Sequence, residues 1–123
     1  MPPTDPAAGD DFSIRIRTFG GVLLIQLDGP LSGTPVDIVR MYLMRTLVTQ
    51  PLPALVVDLA GVTALEEAGR EVLRSATGQA REAGGRLVVT GVPPLLGTAG
   101  EAGLDLLPTM GDGLTALGAP QER

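Results

Sequence analysis

Residues 54–59, ALVVDL, run almost without interruption through apolar side chains, and the segment after them turns to helical spacing. A stretch this short and this apolar reads as a strand buried on both faces, the kind found inside parallel or mixed sheets. Residues 66–83 follow, with Val72, Leu73, Ala76 and Ala80 on one helical stripe. Gly84-Gly85 supplies the stop. Residues 86–90, RLVVT, are then a second buried strand. Strand, helix, strand is the crossover unit of a parallel sheet.

Upstream, residues 12–18 alternate Phe12, Ile14 and Ile16 with Ser13, Arg15 and Arg17, as a half-buried strand does. Gly20-Gly21 offers a two-residue turn, and residues 22–27 continue as a more buried strand, so a β-hairpin opens the fold. Asp28-Gly29-Pro30 reads as a strand break. Thr34-Pro35 has the pattern of an N-cap followed by proline at the first helical position, with Asp37 in the first turn. The helix this predicts runs to about Thr49, with Val36, Val39, Leu43 and Leu47 at helical spacing, and Pro51 and Pro53 end it. Downstream, the pattern predicts a short helix over 93–102, an edge strand over 106–110 and a marginal helix over 113–117. The expected class is α/β: a mixed sheet of about four to five strands with an N-terminal hairpin, and about four helices packed mainly on one face. A chain of 123 residues suits one core. Residues 12–118 are expected to form that domain, with 1–11 a flexible leader and 119–123 a tail.

Charge and residue content exclude several functions. The net charge is −5, there is no Lys, and the nine Arg are scattered, so no basic footprint for direct nucleic-acid binding exists. Without Cys or His the chain lacks a thiolate, the usual general base and the commonest metal ligands. No catalytic, cofactor-binding or metal-binding residue is assigned, and no cofactor is expected. Residues 1–11 lack the basic and apolar regions of a secretory signal, and no apolar run nears the roughly 18 residues of a membrane span. No membrane insertion is expected, and a cytoplasmic location is the default.

The turn between the buried strand and its helix carries Glu66, Glu67, Ala68 and Gly69. Thr63 and Glu66 have capping-box spacing, which predicts a Thr63 side chain bonded to backbone and a Glu66 side chain reaching back to the Thr63 N–H. Glu67 then lies in the first turn, where the helix dipole favours a negative charge by about 0.3–1 kcal/mol. Locally, the two glutamates read equally well as helix-start residues and nothing more. Arg70, Glu71 and Arg74 follow on the helix; a docking face is one reading, and a solvated i,i+3 pair of Glu71 with Arg74 is the favoured one. Gly29, Gly61, Gly69 and Gly91 fit no phosphate-binding pattern and read as turn glycines, with Gly69 permitting close approach at the helix start.

Four segments, LDGPL at 27–31, VDLAGVT at 57–63, REAGGRLVVTG at 81–91 and LDLLP at 104–108, stand in an order and spacing that resemble the STAS family. Its best-known members are bacterial anti-sigma factor antagonists, and the resemblance spans residues 12–118. In that family the turn usually reads Asp-Ser-Ser-Gly or a close variant, with a hydroxyl that a partner kinase phosphorylates. The resemblance places Glu67 on the phospho-acceptor position and Glu66 on the acidic residue before it. It implies a single STAS-like domain acting as a non-enzymatic protein-interaction module in transcription regulation. The implied partner is a kinase-like anti-sigma factor or related regulator, the implied switch and partner-binding residues are Thr63, Glu66, Glu67, Ala68, Gly69 and Arg70, and a homodimer stays open. Glu67 is then a partial phosphomimic, with one negative charge against about −1.5 to −2 and three acceptor oxygens for phosphoserine. Ala68 offers no substitute hydroxyl, so the usual site is not switchable by phosphorylation, and the lock is either a binding or a non-binding state. The alternative is an accessory subunit of a transporter, or a small-molecule or lipid-binding module, because STAS-like modules also accompany transporters. A hydrolase or nucleotide-binding enzyme is a third reading, disfavoured by the missing His, Cys and Lys.

Overall fold

The computed structural model describes residues 12–50, 52–91 and 104–118. Along the chain these form β1 (Ser13–Phe19), β2 (Val22–Leu31), α1 (Thr34–Thr49), β3 (Ala54–Leu65), α2 (Glu67–Glu82), β4 (Arg86–Thr90), β5 (Leu106–Leu107) and α3 (Met110–Ala116). The five strands make one sheet in sequential order. β1 and β2 are an antiparallel hairpin turned by Gly20 and Gly21, both at positive φ, where a residue without Cβ is favoured. All other neighbours are parallel. The sheet is therefore mixed, with the hairpin at its start and β3 at its centre.

The register explains the apolar run of β3. Ile25, Val57 and Val89 align in one row across the sheet, and Leu24, Val56 and Val88 in the next. Successive residues of a strand face opposite sides, so a strand covered on both sides has no polar face to show. The first row packs in one core with Val36, Val39, Leu43 and Leu47 of α1 and Val72, Leu73, Ala76 and Ala80 of α2. The second row packs with Met110, Leu114 and Leu117 in and just beyond α3. The two long helices thus share one face, and α3 lies on the other. Asp58, the polar residue of the run, is buried and accepts a hydrogen bond from the Thr90 hydroxyl at 3.0 Å.

Several elements differ from the sequence expectation. β2 does not break at Asp28-Gly29-Pro30 but continues to Leu31, and β3 continues past Leu59 to Leu65. The extra residues pair with one another, Asp28 with Gly61 through Leu31 with Leu65, after register shifts that mark bulges. Pro30 lies beyond β1, which pairs no further than Asp28, and is paired with β3 alone, at Ala64. A Cβ on Gly61, at the bulge, would meet the Asp28 carboxylate, which would have to turn aside. β4 stops at the level of Asp58. At about 3.3 Å per residue, the paired ends of β2 and β3 project beyond their neighbours as a two-stranded ribbon.

Other boundaries shift by a few residues. Gly33, at φ 65°, is the N-cap of α1 in place of Thr34, and the N-cap residue itself supplies no side-chain cap. β5 is cut to two residues because Thr109 begins a capping box with Asp112, which starts α3 at Met110 rather than Gly113. Arg86 ties β4 to the start of β5, donating to both Asp105 carboxylate oxygens at 2.7 and 3.2 Å. That hydrogen bond holds the guanidinium above its ordinary pKa, against the small desolvation that lowers it. Three helices stand among the described residues; the fourth expected helix, over 93–102, lies outside them, as do the leader 1–11 and the tail 119–123.

Candidate functional site

The ribbon of β2 and β3 ends in a tight junction. Glu66 leaves β3 in extended conformation, at φ −77° and ψ 162°, and is the N-cap of α2. Its backbone N–H donates to the Leu31 carbonyl at 3.3 Å, closing the ribbon. Its carbonyl accepts from the N–H groups of Gly69 and Arg70 at 2.9 and 3.1 Å, opening the helix. The side chain does not reach back to the Thr63 N–H. Glu66 Oε1 accepts from the backbone N–H of Gly33 at 3.2 Å, so the carboxylate caps α1 rather than its own helix.

The expected Thr63–Glu66 capping box is therefore not formed. Thr63 is an exposed residue of β3, three positions before the N-cap, and α2 begins at Glu67 with no side-chain cap bond. The spacing failed because β3 runs on to Leu65 instead of yielding a helix near residue 63. The anionic group at the α1 N-terminus comes from 33 residues away in the chain, so no local pattern could have revealed it. α1 and α2 thus start side by side, and one carboxylate lies near the positive ends of both dipoles.

Glu67 is the first residue of α2 and is exposed. Its Oε2 accepts from Arg74 at 2.6 Å, while the same guanidinium nitrogen donates to Glu71 Oε2 at 2.8 Å. Arg74 is the least exposed of the three, with 22% of its side chain accessible against 71% for Glu67 and 65% for Glu71. Glu67 and Arg74 lie two turns apart on one face, which brings i and i+7 into line with Glu71 between them. The sequence pairing of Glu71 with Arg74 holds, and the structure adds Glu67 to it. Ala68 is exposed and contributes no polar atom. Gly69 is buried, and a Cβ there would press on Leu65 and Leu31 at 2.8 and 3.3 Å. The close approach expected at Gly69 is thus the seating of the first turn of α2 on the ribbon. Arg70 is half-buried and, like Arg74, makes interactions of its own.

The structure brings Glu66, Glu67, Ala68, Gly69 and Arg70 together at the ribbon tip and leaves Thr63 on the strand leading to it. Leu31, Gly33 and Arg74 complete the junction. Among the described residues no group of three or more carboxylates is arranged to hold a metal ion. A groove of about 250 Å³ between α1 and α2 runs beside the site, lined by Arg40, Met44, Glu71, Val72 and Ser75.

The STAS domain family model matches residues 13–99 of the chain. No curated protein matches it. Among solved structures, an anti-sigma factor antagonist from Mycobacterium paratuberculosis is similar at 22% identity and a TM-score of 0.71, over 89% of this chain and 97% of that one. A serine-to-glutamate variant of RsbS from Moorella thermoacetica is similar at 18% identity and a TM-score of 0.67, over 85% and 93%. The murine Solute Carrier 26 family anion transporter Slc26a9 is similar at 15% identity and a TM-score of 0.63, over 82% of this chain and 18% of the transporter. At these identities the structural likeness speaks for the fold, in agreement with the mixed sheet and its N-terminal hairpin. With the family model covering most of the sequence, the chain belongs to the STAS domain family.

Proposed function

We propose that this chain is a non-enzymatic protein-interaction module of the anti-sigma factor antagonist type, which binds a kinase-like anti-sigma factor or related regulator. Its docking surface is the ribbon tip formed by Glu66, Glu67, Ala68, Gly69 and Arg70, with Thr63 at its edge. The observation that carries this reading is the exposed Glu67 carboxylate at the first position of α2, where the family resemblance puts a phosphorylated hydroxyl. The residue has no oxygen that a kinase can esterify as a stable phosphomonoester. Regulation by phosphate at that position is therefore closed to this chain. Its carboxylate is drawn along the helix to Arg74, so the lock is the binding-competent state, read by a partner adapted to a single negative charge.

The test is a binding and phosphotransfer assay with candidate anti-sigma kinases from the same genome. Wild type binds without labelling at 67, and Glu67→Ser becomes a substrate whose binding is lost on phosphorylation. Binding of wild type at the level of the phosphorylated serine variant overturns the assignment of the lock. Stable labelling of wild type within residues 55–72 overturns the unswitched module. The likeness to Slc26a9 supports a second reading, a transporter accessory domain. No described helix is long and apolar enough to cross a membrane.

A further inference from the structure

α1 is apolar on two sides. Val36, Val39, Leu43 and Leu47 fill the core beneath it. On its outer side Ile38, Met41, Arg45 and Val48 follow a 3-4-3 spacing, the seam pattern by which one helix packs on another. Met41 is 58% exposed and Val48 81% exposed. A surface helix with no second contact shows polar residues there. Arg45 stands in the middle of this seam, exposed, and among the described residues no carboxylate bonds to it, whereas Arg40 is paired with Asp37 at 2.7 Å and Arg74 with two glutamates.

We infer that the outer face of α1 is a second docking surface, separate from the ribbon tip, and that its occupant is an amphipathic helix of another protein carrying a carboxylate opposite Arg45. A second copy of this chain fits poorly. Antiparallel pairing of the seam about its midpoint sets Arg45 beside Met41 of the other copy and brings the two guanidinium groups within about one helical turn. Parallel pairing sets them face to face. Either way the two guanidinium groups approach one another, with the nearest exposed carboxylate of each copy, Asp37, already paired with Arg40 at 2.7 Å, and each copy brings a net charge of −5. An acidic amphipathic helix supplies both the apolar surface and the missing counter-charge, and desolvation of the pair then contributes specificity.

The probe is a fluorescein-labelled, stapled helix of about four turns with leucines at the same spacing and one glutamate in the central seam position, compared with its lysine counterpart by anisotropy. The glutamate peptide binds saturably and the lysine peptide more weakly. Val48→Asp and Met41→Asp each weaken binding by about tenfold or more, and Arg45→Glu reverses the preference between the two peptides. Because these side chains are exposed, the variants keep wild-type circular dichroism and urea midpoints. Glu67→Ser leaves peptide binding unchanged, which separates this surface from the ribbon-tip reading. Absence of saturable binding, or equal binding of both peptides by wild type and Arg45→Glu, overturns the proposal. So does sedimentation of wild type as a dimer that Val48→Asp dissociates, which assigns the face to a second copy.

Discussion

Replacing Glu66 tests whether its carboxylate links two helices or caps one. In the structure the group accepts from Gly33 N–H at 3.2 Å, at the start of a helix that has no side-chain cap of its own. Glu66→Ala removes that bond, which at an exposed site contributes about 0.5–1.5 kcal/mol. It also removes a negative charge from the N-termini of α1 and α2, a further effect of about 0.3–1 kcal/mol at each before screening. Solvent exposure places the combined loss at about 1–2 kcal/mol. Glu66→Gln keeps an acceptor and loses only the charge, so its cost is about 0.5–1 kcal/mol and shrinks in about 1 M salt, where the screening length is about 3 Å. Thr63→Val removes the hydroxyl while preserving the β-branched shape that suits a strand, and changes stability by less than about 0.5 kcal/mol. Urea unfolding resolves these cases, since a slope of about 1–3 kcal/mol/M turns the Glu66→Ala loss into a midpoint shift of about half to one molar. If Thr63→Val costs as much as Glu66→Ala, the capping box exists and the link to α1 does not.

Substitutions at four further positions probe the scaffold beneath the site, each by the same unfolding measurement. Leu73 is fully buried on α2, so Leu73→Ala costs about 2–5 kcal/mol, and a loss below about 1 kcal/mol contradicts the seating of α2 on the sheet. Gly85→Ala drives a Cβ into the Pro53 carbonyl, which already accepts the Arg86 N–H at 2.7 Å, and costs about 1–3 kcal/mol; Gly78→Ala meets nothing within 4 Å and stabilises α2 by about 0.5–1 kcal/mol. Thr90→Val deprives the buried Asp58 of its donor at a cost of about 1–3 kcal/mol, while Thr90→Ser retains most of the stability; equal losses in the two variants sink the hydrogen-bond account.

The parts of this fold that were legible in the sequence are those where one local signal decides. Residues 54–59 are unbroken because β3 is covered on both faces, and Gly20-Gly21 and Gly84-Gly85 sit where backbone geometry calls for glycine. Illegible were the places where tertiary pairing overrules local chemistry. Asp28-Gly29-Pro30 carries every mark of a strand end, yet the bulged partner in β3 extends it to Leu31. Thr63 and Glu66 have the spacing of a cap, yet the same extension keeps Thr63 in a strand. Positions 66–70 were legible as one strand-to-helix turn, and the structure sets them together at the ribbon tip; their role in the proposed site rests on the family resemblance. The links to Leu31 and Gly33 arise only when two helices and a ribbon meet.

Glu67 acquires a different meaning once Arg74 is placed. A phosphoserine at the first position of α2 brings about −1.5 to −2 charges to the turn and faces the orphan N–H groups of the helix start. The Glu67 carboxylate brings one charge, and Arg74, shared with Glu71, draws it toward the second turn. The three side chains together carry −1, and Glu71 with Arg74 alone would carry none, so position 67 adds one negative charge, between the zero of a hydroxyl and the about −1.5 to −2 of a phosphoserine. The bond to Arg74 does not sequester the carboxylate, because ion pairs this exposed contribute about 0–1 kcal/mol and yield readily to a competing cation. A partner with an arginine or lysine opposite position 67 can take the carboxylate over at little cost, whereas a partner that depends on a neutral hydroxyl must desolvate a charge. On the proposed reading, a carboxylate at position 67 in place of a hydroxyl selects among partners while leaving the docking surface open.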